Sequence, residues 1–154
     1  MPTQKPTKPA RQSTPAAGFS AEEKRAMQER AKELKQEQSR TASAREGEAD
    51  LLSKIAEMPE PDRLMAQRIH ALVQRVAPTL TPRTWYGMPA WAKDGNVVCF
   101  FQSAHKFKVR YATLGFSDKA HLDHGSIWPS AYALTHLDPH AEQLIEDLLK
   151  RAVT

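Results

Sequence analysis

Cysteine is almost missing from this chain: Cys99 is the only one in 154 residues, so no intramolecular disulfide can staple the fold. Flanked by Val98 and Phe100, it reads as a small buried hydrophobe in a reducing compartment rather than as a reactive thiol. Long apolar runs are missing too. The longest, Val97 to Phe101, has five residues, far short of the roughly 20 that span a bilayer. The Pro- and Lys-rich start has no apolar centre of the kind a signal peptide needs, so the expectation is a cytoplasmic protein without a membrane partner. There is no G-x-S-x-G elbow, no P-loop, no G-x-G-x-x-G and no cysteine beside a plausible base, and no enzyme is expected. No internal repeat is visible.

What is present is a modest basic excess: 22 Lys and Arg against 18 Asp and Glu, a net charge of +4 and a pI near 9.3. That favours loose association with polyanions, which is not a nucleic-acid function. Lys5, Lys8 and Arg11 in the first segment and Arg25, Arg30, Lys32 and Lys35 in the next could attract phosphates. Glu22, Glu23, Glu29, Glu33 and Glu37 offset the second group, no recognition motif is present, and no specific nucleic-acid partner is expected.

Along the chain, residues 1–18 hold four prolines, no acid and almost no apolar bulk, and are expected to be a disordered basic tail. Residues 19–47 are expected to form an accessory helix and a linker. Ser20 and Glu23 make a capping box that opens a helix over AEEKRAMQERAKELKQEQ, whose thin apolar content is Met27 and Leu34. The polar stretch Ser39 to Gly47 reads as the linker, and residues 48–154 as the compact domain.

Within that domain Asp50 is a candidate N-cap for a short helix that Pro59 stops. A second helix starts near Pro61 or Asp62, with Leu64, Met65, Ile69, Leu72, Val73 and Val76 on one stripe. Asp94-Gly95-Asn96 is a hairpin turn between strands Met88–Lys93 and Val97–Gln102. Next, Lys106, Lys108 and Arg110 alternate with Phe107, Val109 and Tyr111, which predicts a strand with a cationic and an apolar face. A turn-rich loop over 117–130 leads to a last strand in AYALTHL. Asp138 then caps a final helix that has Pro139 at its first position and buries Leu144, Ile145, Leu148, Leu149 and Val153. The fold class is α+β, with helices packed on one face of an antiparallel β-sheet.

The element Trp85-Tyr86-Gly87-Met88-Pro89-Ala90, followed by the hairpin, an apolar strand and the KFK segment, resembles the YdhG-like family of small bacterial domains of unknown function, grouped with frataxin-like proteins. The resemblance covers roughly residues 48–153, and GFSAEEKRAMQERAKELK is similar to an N-terminal extension on actinobacterial members. It implies a compact α+β domain and, for some members, an iron-chaperone role that delivers iron to an accepting protein.

Iron on such a fold is expected to take surface carboxylates and imidazoles, which are hard oxygen and nitrogen donors. The metal candidates are Glu142, Glu146 and Asp147 on the last helix, then His121, Asp123 and His124 in the loop, whose spacing matches no established metal motif. Glu57, Glu60 and Asp62 form a further acidic cluster. Charges at helical spacing are most often a solvated face, and the basic balance departs from the acidic surface that loose iron binding favours. The alternative function is a small-ligand or protein-interaction module without catalysis, using Tyr86, Trp91, Lys108, Arg110, Tyr111 and Trp128. Aromatic rings beside cations can hold a planar or anionic ligand.

Overall fold

The structure, a computed structural model, describes residues 20–38 and 40–154. The chain divides into two units, one ending at Arg40 and the other running from Thr41 to Thr154. The tail expected over residues 1–18 lies outside the described residues.

In the first unit, α1 (Ala21–Gln38) starts where the capping box places it. The Glu23 N–H donates to Ser20 Oγ at 3.0 Å, and the Ser20 N–H donates to the Glu23 carboxylate at 2.9 Å. Together they satisfy two donors at the helix start. The Ser20 N–H, followed by its hydroxyl, holds the Glu23 carboxyl below the usual carboxylate range. Met27 and Leu34 are exposed, and Arg30 reaches Glu33 one turn on at 3.4 Å. Capping and charge pairs, more than burial, hold this helix.

The second unit holds α2 (Arg40–Ala56) from its second residue on, then α3 (Asp62–Val76), β1 (Thr81–Trp85), β2 (Met88–Lys93), β3 (Asn96–Gln102), the single turn α4 (Ala104–Phe107), β4 (Ala112–Phe116), β5 (Ala131–Leu134) and α5 (Pro139–Ala152). Each strand pairs antiparallel with the next, so the sheet order is the chain order. This is the expected α+β fold.

The pleat sorts the strands into two faces. Trp91, Cys99 and Phe116 form one cross-strand row, and they join Leu51 and Ile55 of α2, Met65, Ile69, Leu72 and Val73 of α3, and Ile145, Leu148 and Leu149 of α5 in one buried core. The opposite face carries the row Arg83, Ala90, Phe100, Gly115 and Ala131. There the Phe100 ring lies so flat over Gly115 that a Cβ on Gly115 would overlap it. Burial pushes the Cys99 thiol well above its ordinary pKa, so it is not a nucleophile at neutral pH.

Two expectations about the helices do not hold. Residues 40–47 are not a linker: α2 already begins at Arg40, and Asp50 is inside it rather than its cap. The helix passes β1 so closely at Gly47 that a Cβ there would overlap the Pro82 carbonyl, which explains a poor helix former at that position. Leu64 and Leu144 are about half exposed, because each lies one residue, or about 100°, away from the buried Met65 and Ile145.

Candidate functional site

Alternating strand direction brings the end of β1 and the end of β3 to the same end of the sheet. Two connections meet there: the turn Tyr86-Gly87 and the segment 103–111. At the turn, φ is 51° for Tyr86 and 76° for Gly87, the mirror-image geometry that suits the twist of paired strands. Glycine adopts it freely, whereas a residue with a bulky side chain is disfavoured there by about 1–2 kcal/mol. Packing does little to offset this. The Tyr86 ring is 71% exposed and meets the Trp85 ring edge-on at a centroid distance of 4.9 Å.

Segment 103–111 is not the strand that its alternation predicts. Ser103 caps α4, its hydroxyl oxygen accepting from the Lys106 N–H, and Lys108 leaves the turn in the left-handed region with φ 55°. The buried Asp62 carboxylate anchors the base, accepting from the Ser103 hydroxyl at 2.7 Å and from the His105 N–H at 2.9 Å. With its base tied to the start of α3, everything from His105 to Tyr111 is left exposed. Phe107, Val109 and Tyr111, expected to line an apolar inner face, stand in solvent beside the cations.

Lys106 spans the two connections. Its ammonium lies 2.8 Å from where a Cβ on Gly87 would stand and donates to the Gly87 carbonyl at 3.5 Å. It also sits 5.8 Å from the Phe107 ring centre, and the Arg110 guanidinium lies 5.2 Å from the Tyr111 ring centre. Among the described residues no carboxylate pairs with Lys106, Lys108 or Arg110. Trp85 continues the surface onto the open face of the sheet, 5.2 Å from Phe100. The rim therefore combines three unpaired cations with a run of rings, an arrangement suited to a planar or apolar anion.

Of the expected ligand residues, the rim gathers Tyr86, Lys108, Arg110 and Tyr111. Trp128 is elsewhere, half buried in the 117–130 loop at the other end of the sheet and packed on the core. Trp91 is fully buried. Its indole N–H donates to His70 Nδ1 at 3.1 Å. Indole can only donate, so Nδ1 must be the acceptor and the His70 proton sits on Nε2. Nε2 then donates to Glu48 at 2.9 Å, and Gln74 donates to the same carboxylate oxygen at 2.8 Å. Both nitrogens of His70 are engaged, so this chain, buried at Trp91 and His70 and reaching the surface at Glu48, ties α2, α3 and β2 together, and His70 is not an accessible general base. A single polar residue within the apolar stripe of α3 was the one sequence signal for it.

The carboxylates expected to take iron are already engaged. Glu142 accepts from Arg68 at 2.8 Å and Glu146 meets Arg75 at 2.5 Å, so both clamp α5 to α3. The Arg68 hydrogen bond holds the Glu142 carboxyl below the usual range and raises the guanidinium in return. Asp147 accepts from Gln143 at 3.1 Å. His121 is bonded through Nδ1 to the Thr154 backbone oxygen at 2.6 Å, while Asp123 and His124 are exposed. Glu60 pairs with Arg63 and Glu57 with Lys54, while Asp62 belongs to the rim anchor. Among the described residues, no three His, Cys, Asp or Glu side chains converge as metal ligands. No helix among them is long and apolar enough to cross a membrane.

No family model, no curated protein and no solved structure matches this chain.

Proposed function

We propose that this protein is a binding module and not a catalyst, and that its ligand surface is the rim formed by Tyr86-Gly87 and residues 103–111. The ligand class is an anion with a planar or apolar part, either a small molecule or an acidic segment of another protein. The observation that carries this is Tyr86. A bulky residue in the left-handed region with its ring in solvent contributes little to folding, and strain of that kind concentrates at functional sites. The unpaired Lys106, Lys108 and Arg110 beside it supply the charge, and the Asp62–Ser103 anchor keeps the segment in place without a ligand. Iron delivery, implied by the resemblance to YdhG-like domains, has weaker support, since Glu142 and Glu146 are held by arginines.

Amide-resolved NMR tests this with adenosine monophosphate as a planar anion, and with inorganic phosphate and adenosine as its charge-only and ring-only controls. Shifts should be largest for the nucleotide and confined to Tyr86, Gly87 and residues 105–111. Absence of any localised shift there would overturn the proposal. Anaerobic Fe(II), added with Mg²⁺ as control, should leave residues 142–147 and 121–124 unchanged. Iron-specific broadening confined to either patch would restore the iron reading.

A further inference from the structure

We propose that β5 pairs with β5 of a second copy of this chain, extending both sheets into one across a twofold axis. The sheet is open, and its two edges are treated differently. On the β1 edge, the two-residue turn at Tyr86-Gly87 makes Trp85–Met88 and Arg83–Ala90 the pairs that exchange hydrogen bonds. Thr84 and Pro82 therefore turn their polar groups outward, and at Pro82 the edge is blocked: it has no N–H to offer, and α2 closes over its carbonyl at Gly47. Proline and a covering helix are two ordinary means of blocking strand addition.

β5 has neither. The Phe116 N–H donates to the Ser130 carbonyl at 2.8 Å, which sets the phase of the ladder: Leu114–Tyr132 and Ala112–Leu134 exchange bonds. The N–H and C=O of Ala131 and Ala133 thus point away from the sheet, and both residues are exposed. The strand is Ala-Tyr-Ala-Leu, with no charge, no proline and no bulge in it.

These outward groups are self-complementary. Antiparallel pairing centred on Tyr132 sets Ala131 against Ala133 of the second copy and the reverse, each pair exchanging two backbone bonds. Side chains agree with this register: the alanines leave room on the open face, and Tyr132, edge-on to Phe116 at 6.1 Å, meets its symmetry mate on the axis. Pro129, the next outward-facing residue, lacks an N–H and ends the ladder. With so short a strand, pairing should be reversible and concentration-dependent.

Sedimentation velocity and amide exchange on the full chain, across a range of concentrations, test this. Dimer should accumulate with concentration, and Ala131 and Ala133 amides should become protected as it does. Tyr132 and Leu134, already bonded to β4, should be protected throughout. Ala133→Pro removes only an outward donor, one per copy, and should weaken association by about tenfold or more with the fold retained. Ala131→Lys, which puts one cation from each copy on the same face, two positions apart across the twofold axis, is the second variant should the proline disturb the strand. A protein that stays monomeric up to about 1 mM, or a dimer indifferent to both variants, would overturn the proposal.

Discussion

The α3–α5 face and the rim at the end of the sheet both carry arginine or lysine, and they use it in opposite ways. On the helix face Arg68 and Arg75 each meet a glutamate of α5. Among the described residues, Lys106, Lys108 and Arg110 at the rim meet none, and two of the three non-glycine residues with positive φ, Tyr86 and Lys108, stand among them. The third, Asp94, forms with Gly95 a second two-residue hairpin turn of the same hand. Asp-Gly is what that turn geometry favours, and Tyr-Gly is not. Where charge is paired and turn residues match their geometry, the sequence serves the fold. Where neither holds, the fold itself gives no reason for the residues, and the proposed ligand would supply one.

The largest expected effect that sharpens this contrast comes from the glycines of the two turns. Gly87→Ala and Gly95→Ala each force a Cβ into the left-handed region, and each should cost about 1–2 kcal/mol in urea denaturation. Only Gly87→Ala also displaces the Lys106 ammonium, so it alone should move the amide signals of 105–108. If it left them unmoved, Lys106 would not be the bridge between the two connections.

A smaller effect separates the paired cations from the unpaired ones. The Arg68 hydrogen bond lowers the Glu142 carboxyl, against a smaller upward push from burial. A carboxyl whose pKa is lower in the folded state contributes stability that is complete above its unfolded value, and loses it as pH falls through the folded value. Stability should therefore decline below pH 4.5, the ordinary value for this group. Arg68→Gln should flatten that decline, whereas Arg110→Ala should not change it. Since Arg68 is half exposed and Glu142 is only partly covered, the difference should be small and should shrink with added salt. An equal response to both substitutions would erase the distinction drawn between the two regions.

Much of the architecture was legible in the sequence because local signals agreed with tertiary demands. Ser20 with Glu23, Asp138 with Pro139, and Asp94-Gly95 each fix an element end through chemistry confined to a few residues. The failures share a cause, which is contact distant in sequence. The start of α2 looks like a linker because Thr41, Ser43 and Gly47 are poor helix formers, and the reason for Gly47 is the Pro82 carbonyl, 35 residues on. Lys106 to Tyr111 alternates as a strand would, yet Asp62, reaching from α3, holds Ser103 and His105 in a turn. Trp91 reads as a ligand residue in the sequence because aromatic bulk on a strand is the same on either face. Its burial depends on register and on a partner, His70, which is 21 residues away. At the rim, the residue types were legible while their arrangement was not.

The most direct test of the claim that Tyr86 serves binding is Tyr86→Asn, measured for both stability and nucleotide binding. Asparagine tolerates the left-handed region, and Asn-Gly suits the turn. If Tyr86 is kept for a ligand, the variant should be more stable by about 0.5–1 kcal/mol and should lose the shifts that adenosine monophosphate causes at residues 105–111. A variant that is less stable and binds as before would show that Tyr86 serves the fold, and would contradict the assignment of the rim as a ligand surface.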